Sequence, residues 1–374
     1  MLWHPPKNLI GGYKMDVKEI RAMDHEKKKR IGLLMGILCA LYWGVWYAPG
    51  YAIYVTPLIA DVYDNMIIAG YSEDVAGVLQ AVFLTAVNAI ACAVLLFVWN
   101  GGLGKMGELK RTIVQVKSVT KYYILAGICG ACAVSGTYIA ALFLSPGFAA
   151  IAGLLYPIIG TIMSVLYLKQ KVSKRGYLAI IVLLAGGITL YSGSLVTGGV
   201  DSANPLIGCI GGIMAAVGWG FEGAVAGKAL DLTEPDIGLH LRFIFEGLFW
   251  IIVLIVLVIC GVPIFDTIGG LFEPTTFLLV LLIGLSFAWC YVTWYKSFPM
   301  IGVARGQAIA SLYAACGVIF LCIFLGPAEA LQYNDDSMWT IVGFTIAGLI
   351  ICLIGSFLLV TEDAENTATL REGS

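Results

Sequence analysis

Long apolar stretches are the feature of this chain that most restricts its fold. A helix needs about 20 apolar residues to cross roughly 30 Å of hydrocarbon. Stretches of about this length occur at 32–56, 77–99, 122–144, 148–168, 177–198, 205–227, 237–260, 276–298, 303–325 and 339–360. This series predicts an all-α integral membrane protein with ten transmembrane helices, and the pattern differs from the short alternating segments of spanning β-strands.

The composition agrees with a membrane protein and argues against several other classes. Of the 374 residues, 60% are apolar and only 12% are charged, while the net charge of −2 gives no basis for binding nucleic acid. The ten cysteines all fall within the apolar stretches, so we expect packing roles, including for the Cys129 and Cys132 pair. We find no nucleotide-binding loop or metal-ligand cluster, and we expect neither an enzyme nor a cofactor.

The distribution of basic residues predicts the orientation, because Lys and Arg favour cytoplasmic loops. If both ends lie on one side, the 22 Lys and Arg residues all fall in or beside the segments of that side. The opposite segments, which contain no Lys or Arg, are 57–76, 145–147, 199–204, 261–275 and 326–338. We therefore expect a multi-pass protein of the plasma membrane with cytoplasmic tails at 1–30 and 361–374.

An internal repeat predicts how the helices are arranged. Three patterns recur in the same order in both halves: GIxxAxxWG at 36–44 and 212–220, LYxxxG at 155–160 and 312–317, and AG, six residues, then GS at 185–194 and 347–356. The predicted repeats are 31–198 and 199–360. Five spans is an odd number, so the second repeat enters the membrane from the opposite side. Inverted repeats around a central cavity are typical of secondary transporters that work by alternating access.

A family resemblance accompanies this repeat. The segment SPGFAAIAGLLYPIIGTIMSVLYLKQKVSKRGYLAIIVLLAGGITL (145–190) resembles the end of an EamA-type repeat of the drug/metabolite transporter superfamily, and the Trp-Gly pair of the first span is similar to the start of such a repeat. The resemblance implies a permease with a central cavity lined mainly by the first, third, fourth, sixth, eighth and ninth helices. Members of this superfamily carry substrates from amino acids to nucleotide sugars.

An aromatic stripe marks the candidate substrate site. Within YWGVWYAPGYAIY (42–54), Trp43 and Tyr47 share one helical face and Trp46 lies beside it. A belt at the lipid interface or simple packing is the alternative to a cavity. The repeat pairs Trp43 with Trp219, and the further candidate substrate ligands are Tyr156, Tyr291 and Tyr313. We expect Trp294 and Tyr295 to be interfacial.

Three ionisable residues in the second half are candidates for coupling or gating. Glu222 lies within the sixth stretch, where an ionisable group costs roughly 2.5–3.5 kcal/mol and commonly marks a functional site. The alternative is a structural ion pair of Glu222 with Arg242 or Lys228. Arg242 and Glu246 are spaced i,i+4 and can neutralise each other. His240 is expected near the inner interface as a solvated or capping residue.

Aromatic rings with a buried carboxylate favour an organic cation as the substrate. A methylated ammonium gains roughly 0.5–2 kcal/mol from each aromatic face when desolvated. The leading hypothesis is a methylated amine or quaternary ammonium cation, with Glu222 balancing its charge or exchanging a proton for it. A sugar or ureide is the first alternative, since sugars also stack on indoles, and an amino acid is the second.

Overall fold

The computed structural model describes residues 17–144, 153–197, 204–265, 268–331 and 336–360, and in these ranges every regular element is a helix. In chain order the α-helices are α1 (Val17–Ala52), α2 (Pro57–Ile68), α3 (Glu73–Gly102), α4 (Met106–Gln115), α5 (Lys117–Phe143), α6 (Tyr156–Leu166), α7 (Lys174–Val196), α8 (Pro205–Leu230), α9 (Pro235–Ile259), α10 (Pro274–Ile301), α11 (Val303–Ala310), α12 (Tyr313–Leu325), α13 (Pro327–Leu331) and α14 (Met338–Val360). Short 3₁₀ turns lie at Ile53–Val55 and Ile268–Phe272.

Eight segments of the described chain are helical, long and apolar enough to cross a membrane. They are Asp24–Val55, Glu73–Gly102, Ser118–Phe143, Pro205–Leu230, Pro235–Ile259, Pro274–Ile301, Val303–Leu325 and Met338–Leu358. The protein is therefore a multi-pass, all-helical membrane protein. The remaining two predicted stretches contain α6, of 11 residues, and α7, of 23 residues. The count of ten spans and the inverted repeat stay predictions.

Helix pairing follows a pattern that relates the two halves. Helix α1 of the first half packs along α10 of the second half, and α8 of the second half packs along α5 of the first half. Helices α1 and α8 contain the first predicted span of each repeat, and α5 and α10 contain the third. The last predicted spans, α7 and α14, pack against each other. Exchanging the two halves therefore converts one pairing into the other, which supports the predicted repeat.

Glycine allows two of these helix pairs to approach closely. A methyl group at Gly211 of α8 would overlap the backbone of Gly136 on α5. At the α7–α14 contact, Gly186 faces Cys352, and its repeat counterpart Gly348 faces Leu190. Small residues let transmembrane helices come near enough for backbone and side-chain contact. The repeated AG pattern thus lies where two helices pack.

Two helices begin inside the protein at matching positions of the repeat. Residues 154–155 form a turn before α6 begins at Tyr156, and residues 311–312 form a turn between α11 and α12, which begins at Tyr313. Both positions are the LY of the repeated LYxxxG pattern. Breaks in membrane helices free backbone polar groups, and they are tolerated where protein or a cavity surrounds them.

Charged loop residues gather at one end of the helix bundle. Asp236, at the start of α9, accepts a hydrogen bond from Lys105 Nζ at 2.6 Å and forms an ion pair with Lys296 Nζ at 2.9 Å, and Lys105 also pairs with Glu234. Burial lowers the pKa of Lys105, but hydrogen bonds from its ammonium to Asp236 and Glu234 outweigh that effect and hold the pKa above its usual value. At this same end Gln170 accepts the backbone N–H of Val303. These residues all belong to segments predicted to be cytoplasmic.

Candidate functional site: an aromatic cavity, a ring cluster and a buried charge triad

A cavity of about 250 Å³ opens at the predicted outer end of the first span. It lies between α1, α5 and α12, and its uncharged lining is formed by Trp46, Tyr47, Gly50, Tyr51, Tyr54, Val55, Thr137, Tyr138, Ala141, Leu142 and Leu321. Five of these residues are Trp or Tyr. The cavity reaches the surface at Val55, which is 80% exposed. This volume is below the range of about 300–1,000 Å³ that is usual for drug-sized ligands, so it suits a small solute.

Three buried polar groups of the cavity lining have no hydrogen-bond partner among the described residues. They are the indole Nε1 of Trp46 and the hydroxyls of Tyr54 and Tyr138. The rings of Trp46 and Tyr138 lie 5.5 Å apart, and those of Tyr54 and Tyr138 lie 6.3 Å apart. An unsatisfied buried donor costs about 1–3 kcal/mol. A ligand with an oxygen acceptor can therefore gain hydrogen bonds here at the same time as aromatic contacts.

A ring cluster, defined as Trp43, Tyr156, Trp219, Trp294 and Tyr313, lies next to the cavity, where the Tyr47 ring of the lining stacks on Tyr313 with centroids 6.0 Å apart. Trp43 stacks on Tyr313 with ring centroids 4.4 Å apart and meets Trp219 edge-on at 4.7 Å. Trp43, Trp219 and both tyrosines are at most 1% exposed. Tyr156 and Tyr313 are the residues at which α6 and α12 begin, so the cluster lies at both helix breaks.

Gln307 of α11 ties the ring cluster to the backbone. Its side-chain Nε2 donates to the backbone carbonyl oxygen of Trp219 at 3.1 Å. The backbone carbonyl oxygen of Gln307 accepts a hydrogen bond from the Tyr156 hydroxyl at 2.8 Å. Its amide occupies space that side chains at Gly160 and Gly223 would fill. Gln307 therefore connects three of the helices that meet at the cluster.

A charge triad, defined as Glu222, Arg242 and Glu246, lies beyond the ring cluster. Arg242 Nε donates to Glu222 Oε1 at 2.7 Å and Nη2 donates to Oε2 at 3.2 Å, while Nη1 pairs with Glu246. All three side chains are at most 1% exposed. The guanidinium also lies over the rings of Phe243 and Tyr291, 4.0 and 4.6 Å from their centroids. The triad is thus a packed and hydrogen-bonded unit.

Two tyrosines of α10 complete the coordination of Glu222 and connect it to the ring cluster. Tyr295 donates to Glu222 Oε1 at 3.0 Å, and Tyr291 donates to Oε2 at 3.1 Å. The Trp219 indole donates to the Tyr291 hydroxyl at 2.9 Å. The Tyr47 ring of the cavity lining stacks on Tyr313 of the ring cluster. Cavity, ring cluster and triad therefore form a continuous series of contacts.

The structure places the predicted site residues in two separate groups. Trp46 and Tyr47 line the cavity, whereas Trp43, Trp219, Tyr156 and Tyr313 belong to the ring cluster beside it. Glu222 does not line the cavity, because Arg242, Tyr291 and Tyr295 occupy its oxygens. The alternative considered from sequence, a Glu222 pair with Arg242, is the contact observed, and Arg242 bridges it to Glu246.

Several interfacial assignments are wrong. Trp294 and Tyr295 are fully buried, since their side chains turn toward α1 and α8. His240 is 1% exposed, and its Nδ1 lies 3.3 Å from Asn100 Nδ2. Each of the three lies near a predicted helix end, but its face is covered by neighbouring helices.

Sequence reasoning did not select two further lining residues, Tyr54 and Tyr138. Tyr54 ends the aromatic stretch 42–54 that marks the candidate substrate site. Tyr138 follows Gly136 and Thr137 in a helix of small residues, and a single large ring beside such residues was the available signal. Its partner rings belong to α1 and the turn after it, so the contact required knowledge of the fold.

Fold and site together define a multi-pass helical membrane protein with an aromatic cavity beside a buried ring cluster at the starts of α6 and α12. No family model matches the chain. A relative from Clostridium kluyveri described as an uncharacterized transporter is 23% identical over 192 residues, which is 51% of this chain and 56% of the relative. The match thus spans about half the length of that curated relative.

A solved structure gives a broader likeness. A crystal structure described only as that of a protein aligns with 87% of this chain and with 98% of its own length, at a TM-score of 0.56 and 14% sequence identity. At this identity the likeness shows a shared fold and carries no statement about function.

Proposed function

We propose that this protein is a secondary transporter that moves a small organic solute across the plasma membrane by alternating access. The observation that carries this proposal is the site itself: a small aromatic cavity that reaches the surface at Val55 and adjoins a buried ring cluster at the starts of α6 and α12. Transporters place substrate sites at discontinuous helices between their repeats. The relative named as an uncharacterized transporter supports the same class.

The predicted inverted repeat gives this class its mechanism. The matched packing of α1 on α10 and of α8 on α5 supports two halves that can exchange an outward-open and an inward-open arrangement. Membership of the drug/metabolite transporter superfamily is proposed on the resemblance of residues 145–190 and on this packing. Cytoplasmic termini are proposed from the charge distribution along the chain.

The proposed substrate is a methylated amine or quaternary ammonium cation. Five Trp and Tyr rings line the cavity, and its lining carries no charged group that would repel a cation. Beyond the ring cluster, the triad holds two carboxyl groups for one guanidinium. A cation bearing a hydroxyl or carboxylate, such as choline or betaine, also suits the free groups of Trp46, Tyr54 and Tyr138.

A neutral sugar or ureide is the second candidate. The three free polar groups favour it, since hydroxyl and carbonyl oxygens accept from indole and phenol donors without needing a charge. An amino acid is a weaker alternative of the same transporter class, because the cavity lining offers its carboxylate no basic partner.

The two substrate classes are separated by ligand binding to the purified full-length protein. Thermal unfolding is followed with tetramethylammonium, choline, betaine, glucose, allantoin and alanine, each over a range of concentrations. A ligand at 100 times its Kd stabilises the folded state by about 2.7 kcal/mol. We expect the methylated cations to raise the melting temperature and the other solutes to leave it unchanged.

Trp46→Ala and Trp339→Ala form a matched pair of variants for this experiment. Trp46 lines the cavity, whereas Trp339 is 80% exposed on the surface. The cation-induced shift is expected to disappear in Trp46→Ala and to persist in Trp339→Ala. If glucose or allantoin raises the melting temperature and the methylated cations do not, the substrate proposal changes from a cation to a neutral sugar or ureide.

Transport itself is tested by counterflow in proteoliposomes loaded with an unlabelled ligand that binds. Accumulation of the labelled solute above its equilibrium level is expected. Tight binding without counterflow would instead indicate a receptor or binding protein and would overturn the proposed transport function.

A further inference from the structure

The charge triad contains more acid than base. Glu222 and Glu246 contribute two carboxyl groups and Arg242 contributes one guanidinium, and all three are at most 1% exposed within membrane-spanning helices. Among the described residues, no other Lys or Arg forms an ion pair with either carboxyl group. An unpaired buried charge is far more costly than a neutral group, and buried groups commonly change protonation state instead.

The cluster at the predicted cytoplasmic end provides a contrast. There Lys105 and Lys296 face Glu234 and Asp236, so two bases balance two acids. Three of these four side chains are also partly exposed, at 23% for Lys105, 30% for Lys296 and 48% for Glu234. Water and equal numbers of charges stabilise that cluster in its ionised form. Neither condition holds at the triad.

Hydrogen bonds indicate which carboxyl group holds the compensating proton. Glu222 accepts two guanidinium bonds from Arg242 and one phenol bond each from Tyr291 and Tyr295. Four donors stabilise the carboxylate form. Glu246 receives one guanidinium donor, Nη1 of Arg242, and faces the uncharged indole N–H of Trp250. The ionised state therefore belongs to Glu222, and Glu246 is the place for a proton.

The surroundings of Glu246 supply no other compensating charge. The titratable groups outside the triad that face it are Cys92 of α3, Cys129 and Cys132 of α5, and Cys290, Tyr291 and Tyr295 of α10. Thiols and phenols are neutral or negative, so none of them can balance a second carboxylate. Gly127 of α5 packs directly on the backbone of Arg242 and Glu246.

We propose that the triad is a proton-binding site in which Glu246 holds one exchangeable proton from solvent while Glu222 and Arg242 remain an ion pair. Loss of this proton leaves one negative charge three contacts from Trp219, through Arg242 and Tyr291. Its role as the coupling ion, released when a cation binds, rests on the proposed function.

Infrared spectroscopy of the full chain in lipid nanodiscs, without any solute, tests the site. A buried protonated carboxyl group gives a C=O stretching band that ionised carboxylates lack, and the band shifts in D₂O. The wild-type protein is expected to show one such band at neutral pH and to lose it as the pH is raised. The band is expected to vanish in Glu246→Gln and to persist in the control Asp236→Asn, which alters the balanced cluster.

Two conservative variants locate the proton and keep every charge in place. Exchanging Glu for Asp at the protonated position changes the band frequency. Glu246→Asp is therefore expected to shift the band, and Glu222→Asp to leave it unshifted. A wild-type spectrum without the band at neutral pH, or a band that moves with Glu222→Asp, would overturn the proposal.

This readout requires no substrate. Failure of the proton site would leave transport of an organic cation possible, and failure of the ligand panel would leave the proton site standing. The two proposals are therefore tested independently.

Discussion

Arg242 is the residue whose loss is expected to destabilise this protein most clearly. Its guanidinium donates to both carboxyl groups of the triad and to the Tyr291 hydroxyl, and it is fully buried. Arg242→Met keeps much of the apolar side-chain volume but leaves Glu222 and Glu246 without a basic partner. Removing one member of a buried ion pair costs about 3–5 kcal/mol, because the remaining charge has lost both water and its partner.

Thermal unfolding in detergent, followed by size-exclusion chromatography of heated samples, measures this effect. At roughly 2 °C for each kcal/mol in a large domain, the melting temperature is expected to fall by about 6–10 °C. Arg111→Met is the matched control, since the Arg111 side chain is 62% exposed and pairs with Glu108 at 3.4 Å. An exposed pair contributes at most about 1 kcal/mol, so the control is expected to unfold near the wild-type temperature.

A triple variant separates the loss of charge balance from the loss of packing. Arg242→Met combined with Glu222→Gln and Glu246→Gln removes every charge from the triad and retains amide oxygens that accept from the tyrosines. Replacing a whole buried ion network by neutral groups is often nearly neutral for stability. The triple variant is therefore expected to recover most of the lost temperature. If it unfolds as early as the single variant, or if the single variant resembles Arg111→Met, the charge argument is refuted.

Three further predictions concern packing, pH and orientation. Gly211→Ala is expected to destabilise the protein by about 1–3 kcal/mol through overlap with α5, whereas Gly343→Ala, which meets open space, is expected to be neutral or mildly stabilising in the same thermal assay. Because its acidic partners hold the Lys105 pKa above its usual 10.5, the ion pairs of Lys105 stabilise the fold at neutral pH. The stability difference between wild type and Lys105→Met is expected to shrink as the pH rises above 10.5 and to vanish above the raised pKa of the folded state. Epitopes inserted at the open turns of Gly70 and Gly104 are expected to bind antibody on intact cells at Gly70 and only after permeabilisation at Gly104, and the reverse result would invert the proposed topology.

The sequence predicted the membrane class and the positions of the long helices because both depend on local composition. About 20 successive apolar residues have few alternatives to a spanning helix. The repeat patterns also predicted related positions, and the structure assigns them physical roles. AG residues pack α7 on α14, and the LY pairs lie at the breaks before α6 and α12.

Side-chain partners could not be predicted to the same depth. Helical periodicity gives the face on which Glu222 lies, but the identity of the facing helix depends on the whole bundle. Arg242 is 20 positions away in sequence and Tyr291 is 69 positions away, yet both contact its carboxylate. Trp294 and Tyr295 lie near a predicted helix end, and this position predicted that they face the membrane interface. Both are fully buried, because helices distant in sequence cover them.

The contacts that differ between the two halves indicate what the opposite conformation changes. Trp43 stacks on Tyr313 at 4.4 Å with an interplanar angle of 17°, whereas its repeat counterpart Trp219 meets Tyr156 at 6.1 Å and 66°. Alternating access between inverted repeats, as proposed, requires the halves to exchange their arrangements. The inward-open state is therefore expected to stack Trp219 on Tyr156 and to turn Trp43 edge-on. Because the Trp219 indole also donates to Tyr291, which in turn donates to Glu222, this rearrangement would break or move a hydrogen bond that links the ring cluster to the charge triad through Tyr291.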